Sequence, residues 1–186
     1  MKKKGRGLTS SKRHCKKCHR RWLAIQNSKY VKKKKLDISC VTCQFFILTC
    51  GAFEEILWGV CSCANSKWDG LACYQYNGCS YHKKQNSEDE LYYNEDHVDE
   101  THCRWSERRN KYGDSSIEQC GFCRYFICLE GKFIEDWGIC SNRLSYRDGM
   151  AQFEHDGCEY IEINVLGFGG VCPRIHIERE KKRKGK

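Results

Sequence analysis

Cysteine is the residue best placed to do chemistry in this chain: sixteen occur among 186 residues. Eight of them fall into two sets of shared spacing, Cys40, Cys43, Cys61 and Cys79, then Cys120, Cys123, Cys140 and Cys158. Each set opens with C-x-x-C, continues with W-G-x-C and closes with G-C. A C-x-x-C pair puts two sulfurs on one turn, and four thiolates suit tetrahedral zinc or a [4Fe–4S] cluster. Glycines beside the ligands (Gly59, Gly78, Gly138, Gly157) leave room for backbone N–H groups to approach a thiolate. The basic N-terminus has no apolar run behind it, so no secretory signal is expected. In a reducing cytoplasm or organellar matrix such cysteines read as metal sites rather than disulfides. The expected cofactors are two [4Fe–4S] clusters or two zinc ions.

A further pair, Cys15–Cys18, lies between His14 and His19 on a basic segment. It needs two more ligands, and Cys103 and Cys172 lead the candidates, with His14, His19, His102 and His176 as substitutes. This predicts an additional zinc site tying the N-terminal arm to the body. Cys63 and Cys73 align with Asn142 and Gln152 in the second set, so they, with Cys50 and Cys128, read as small buried hydrophobes. No catalytic set is present: there is no phosphate-cradling glycine loop, no HExxH and no nucleophile elbow.

The elements that must hold these residues repeat as well. Residues 40–81 and 120–160 share one grammar, and from the third cysteine to the fourth eight of nineteen positions are identical. Apolar β-branched and aromatic runs at 44–49 and 125–129 predict strands, as do the stretches ending at Cys61 and Cys140. Asp69–Gly70 and Asp148–Gly149 predict tight hairpin turns. The expected fold is small, mostly β and irregular, metal-stabilised, with two tandem cysteine-rich repeats. The divisions are a basic arm with its C-x-x-C (1–36) able to form a helix, the first repeat (37–82), an acidic polar linker (83–117), the second repeat (118–160), a closing hairpin (161–177) and a basic tail (178–186).

Charge is segregated. Residues 1–36 carry fifteen Lys or Arg and no acid, residues 37–177 carry a net −10, and the tail is basic again. Basic blocks of this kind contact polyanions. The expected partner is nucleic acid or a ribonucleoprotein assembly, held through the basic arms by phosphate neutralisation. A protein partner suits the acidic body, and no stretch reaches the length of a membrane span. No motif reads particular bases.

The pattern C-x2-C-x2-F, W-G-x-C and terminal G-C-x-Y resembles the small iron–sulfur subunits of glycyl-radical enzymes, which look like truncated high-potential iron–sulfur proteins. The second copy also resembles a bacterial cysteine-rich domain of unknown function. The first resemblance implies a [4Fe–4S] cluster on the four shared cysteines of each repeat. Three functions follow as expectations: a non-catalytic metal-cluster protein docking on nucleic acid, an electron-transfer or accessory iron–sulfur subunit of a redox enzyme, and a structural zinc protein mediating protein contacts.

Overall fold

Each repeat folds into a three-stranded antiparallel meander. In the computed structural model residues 11–30, 38–50, 58–86, 91–109 and 119–164 are described; Cys172, the basic tail and the closing hairpin beyond residue 164 lie outside them. The first sheet orders β1 (Phe46–Leu48), β2 (Trp58–Cys61) and β3 (Ala72–Tyr74), and the second orders β4 (Phe126–Cys128), β5 (Trp137–Cys140) and β6 (Ala151–Phe153). Registers match between copies: Phe46 faces Cys61 as Phe126 faces Cys140, and Trp58 faces Tyr74 as Trp137 faces Phe153. β-branched and aromatic side chains favour these short strands because both faces are covered; β2 is buried along its whole length.

The glycine after each central tryptophan serves packing. A Cβ on Gly59 would sit 2.3 Å from the Ile47 carbonyl oxygen and 2.7 Å from the Phe46 ring; on Gly138 it would sit 2.5 Å from Ile127 O and from the Phe126 ring. The phenylalanine after each C-x-x-C lies over the central strand, and only a bare backbone accommodates it. The Asp-Gly pairs are not hairpin tips. Residues 62–71 separate β2 from β3, and Gly70 and Gly149, at φ 75° and 79°, turn the chain just before the third strand.

The two sheets are joined about a local two-fold. Thr49 bridges Leu129 and Leu71 bridges Met150, each residue meeting its own counterpart in the other copy. The flanking bonds are reciprocal: Cys50 N–H donates to Cys128 O and Glu130 N–H to Leu48 O, both at 2.9 Å. Ala72 N–H donates to Gly149 O at 2.7 Å and Ala151 N–H to Gly70 O at 2.8 Å. Self-matching contacts of this kind define an isologous interface.

Two helices complete the body, α1 (Lys12–Tyr30) and α2 (Glu95–Arg109). The described chain is thus mixed α/β, which corrects the expectation of a mostly β and irregular fold. Residues 95–109, inside the stretch read as an acidic linker, form a helix that buries Thr101 and Trp105. One apolar core runs through Trp22, Trp58, Trp105, Phe133 and Trp137 and draws on both helices and both sheets. That shared core, the strand ladders and the two helices account for the described architecture, and the expected metal stabilisation is corrected, since no metal-holding group occurs among the described residues.

Candidate functional site

Both helices carry one motif, H-x4-H-x-R-W, at His14, His19, Arg21 and Trp22 and at His97, His102, Arg104 and Trp105. The repeating unit is therefore a helix followed by a meander, longer than the cysteine repeat alone. Within its own unit, the second histidine of each motif accepts the central indole N–H. Trp58 Nε1 donates to His19 Nδ1 and Trp137 Nε1 to His102 Nδ1, both at 3.1 Å.

Towards the other unit, the Arg-Trp pair reaches the loop aspartate. Arg21 forks onto Asp148 at 2.5 and 2.8 Å, and Trp22 Nε1 donates to the same carboxylate at 3.0 Å. Arg104 forks onto Asp69 at 2.8 and 3.1 Å, Trp105 Nε1 donates at 2.9 Å, and Arg108 adds a contact at 2.5 Å. The first histidine follows, His14 against Ser141 Oγ at 2.9 Å and His97 against Ser62 Oγ at 2.8 Å. Each helix thus clamps both sheets. Asp69 and Asp148, which the Asp-Gly pattern marks only as turn residues, are the acceptors on which the clamps close. The signal for them was in the sequence, as the second occurrence of the helical motif.

Anchoring fixes what α1 shows to solvent. Its inward residues Cys15, Cys18, Trp22 and Gln26 are buried, at the i, i+3, i+4 spacing of one helical face. Lys12, Arg13, Lys16, Lys17 and Arg20 are exposed on the other side.

The repeated cysteines do come together. Cys40, Cys43, Cys61 and Cys79, with Cys63 and Cys73, line one cavity among Phe45, Phe46 and Trp68. Its volume is about 20 Å³, room for about one water molecule. Burial pushes the Cys61 thiol up to about 12, against hydrogen bonds from the Cys63 backbone and Ser66. It does the same to Cys140, also to about 12, and raises Cys43, Cys120 and Cys123. Neutral, buried thiols behave as small apolar side chains. Among the described residues no group of three or more His, Cys, Asp or Glu is arranged to hold a metal ion. The expected [4Fe–4S] clusters and zinc ions are corrected on that ground, and with them the metal-cluster, electron-transfer and structural-zinc functions.

The same correction covers the additional zinc. Cys15 and Cys18 are 3% and 0% exposed, inside the shared core. Their counterparts on α2 are Val98 and Thr101, so these positions are filled by small packing residues in both units. Burial pushes Cys18 up to about 11. Cys103 is exposed on the outer side of α2, and Cys172 lies outside the described residues. His14 and His19 are turned to Ser141 and Trp58 as described.

Over residues 84–160 the chain is similar to a family described as protein of unknown function (DUF3027). That stretch is one whole unit, α2 with the second meander, and less than half of the chain. No curated protein and no solved structure matches. The resemblance to iron–sulfur subunits of glycyl-radical enzymes is overturned: the shared cysteines, glycines and aromatics serve sheet packing, and among the described residues no metal-holding group accompanies them. Among the described residues no helix is long and apolar enough to cross a membrane.

Proposed function

We propose that the protein is a non-catalytic docking module that binds the phosphate backbone of nucleic acid through the outer face of α1. One observation carries the reading: five cations, Lys12, Arg13, Lys16, Lys17 and Arg20, stand exposed on a helix whose opposite side is locked into the core. From Lys12 to Arg20 the helix rises about 12 Å, so the charges form a short rail. A rail of fixed cations neutralises phosphates without first having to order a flexible segment. Basic residues on both sides of α1 in sequence extend the charge, and the carboxylates of the body keep polyanions from binding elsewhere.

The experiment is binding of duplex and single-stranded oligonucleotides to the full chain across a salt series. Five phosphate contacts on duplex DNA give a slope of log K against log salt of about −4.5. Replacing Lys16 and Lys17 by Ala should cut the slope by about 2 and weaken binding of all sequences alike. Deleting the arm is the wrong test, because it also removes Trp22 and Arg21 from the fold. Binding that is unaffected by the Lys16→Ala/Lys17→Ala change overturns the reading.

A further inference from the structure

The two helices keep the same four anchoring residues and invert the charges on their outer side. Counted from the first histidine of the motif, His14, His19, Arg21 and Trp22 correspond to His97, His102, Arg104 and Trp105. At the exposed positions between and before them, Lys12 corresponds to Glu95, Arg13 to Asp96, Lys16 to Asp99 and Lys17 to Glu100, all exposed. Four cations face four carboxylates in the comparison, position for position.

We infer that these faces are complementary docking surfaces, through which one copy of the chain binds head to tail to a second copy. Equivalent anchors hold each helix on its own meander and on the loop aspartate of the other unit, so the outer side chains leave the two helices at matching spacing and pitch. Lys12/Lys16 and Arg13/Lys17 form two i, i+4 ridges on α1, and Glu95/Asp99 and Asp96/Glu100 form the same two ridges on α2. Divergence for solubility alone would scatter signs, whereas here each helix carries a single sign over these four positions. Charge of one sign opposite charge of the other steers encounter and fixes register.

Part of the acidic face has a partner in its own unit, since Lys132 pairs with Glu95; Asp96, Asp99 and Glu100 form its centre. The contact is heterologous, because it joins different surfaces of the two copies. Each pairing leaves one face of each sign unfilled, and association therefore continues to a ring or a short chain. This inference goes beyond nucleic-acid binding and does not rest on it. Pairs of exposed charges are individually weak and screened by salt, so the assembly is reversible and forms at low ionic strength.

The test is sedimentation velocity of full-length, nuclease-treated protein at about 0.02 M and about 0.5 M salt, where the screening length falls from roughly 20 Å to about 4 Å. The weight-average mass should rise with protein concentration at low salt and return to the monomer at high salt. Two charge-reversed proteins, Lys16→Glu/Lys17→Glu and Asp99→Lys/Glu100→Lys, should each remain monomeric alone. Mixed, they should associate, because the second protein keeps its basic α1 face and the first keeps its acidic α2 face. Circular dichroism melting of each variant confirms that these exposed changes leave the fold intact. A wild-type chain that stays monomeric at low salt overturns the inference, as does a mixture that fails to associate. The Asp99→Lys/Glu100→Lys protein retains every α1 cation, so its loss of self-association is separate from any loss of nucleic-acid binding.

Discussion

Asp69 has 2% of its side chain exposed and is met by Arg104, Trp105 and Arg108. A buried carboxylate is tolerated because its lone pairs are filled and two guanidinium groups balance its charge. Asp148 makes the matching contacts with Arg21 and Trp22 but keeps 12% of its side chain exposed and has one arginine fewer. Removing Asp69 strands Arg104 and the Trp105 N–H. Asp69→Ala should therefore cost about 3 kcal/mol in urea denaturation, the low end for a broken buried pair because Arg108 is half-exposed. Asp148→Ala should cost less, about 1–2 kcal/mol. Equal losses at the two sites would mean that burial does not set the strength of the clamp.

The thiols offer a second check at this scale. Cys103 is exposed on α2, whereas Cys18 and Cys61 are buried, Cys140 is partly buried, and all three are held neutral. Thiolate is the reactive form, so buried thiols with raised pKa alkylate slowly. A Cys103→Ser change should remove a fast phase from maleimide labelling at neutral pH. The slow phase belongs to the buried cysteines, Cys18, Cys61 and Cys73 among them, and should merge with the fast one in denaturant. If Cys61 or Cys140 labels as fast as Cys103, the thiols are not sequestered as described.

At the scale of elements, the helices depend on neutral histidines. Burial, with Arg21 next in effect, lowers His14 to about 4. Burial also lowers His97, with Arg104 adding, and His19, with Arg20 adding. All three bind a proton more readily in the unfolded chain, near pH 6.5, than in the folded one. The unfolded state therefore gains protons first as pH falls, and stability is lost progressively from about pH 6.5 towards pH 4. The thiols act at the other end, where their raised values mean that stability declines as pH climbs above about 9. Urea midpoints measured across this range should peak between the two limbs, and His14→Gln, which keeps a partner for Ser141, should flatten the acid limb. An acid limb unchanged by that substitution would place the titrating groups elsewhere.

How much of this could be read from residues differs by element. The meanders were legible because Phe46, Ile47, Trp58 and Val60 are strand-forming residues at positions repeated by Phe126, Ile127, Trp137 and Ile139. Helix α2 was not, because its acids at 95, 96, 99 and 100 lie on the exposed side and mask the sparse inward stripe of Val98, Thr101 and Trp105. Cysteine type misled for a related reason. Four shared sulfurs can hold a metal or fill a sheet end, and residue identity does not distinguish a thiolate from a buried neutral thiol. The glycines misled in the same way: Gly59 and Gly138 make space for phenylalanine rings.

At the scale of the whole molecule, the chain is two copies of a helix–meander unit that complete each other. Neither unit holds its own helix fully: α1 packs Trp22 on Trp58 of its own sheet but bonds Asp148 across the interface, and α2 packs Trp105 on Trp137 but bonds Asp69. A half-chain alone would leave the unit's Arg-Trp pair without its acceptor. It would also open the edge where Thr49 and Leu129 bridge the two sheets. Residues 1–86 and 87–186 expressed separately should therefore be largely unfolded by near-ultraviolet circular dichroism. Mixed, they should recover the spectrum of the intact chain as a one-to-one complex, because the interface is isologous and already built for two bodies. The melting temperature of that complex should rise with concentration, unlike that of the intact chain. Asp69→Ala in the first half should weaken reassembly, since its arginine partners lie in the second. Two halves that each fold alone and do not associate would show that the units are independent, and that the reciprocal clamps contribute little to the fold.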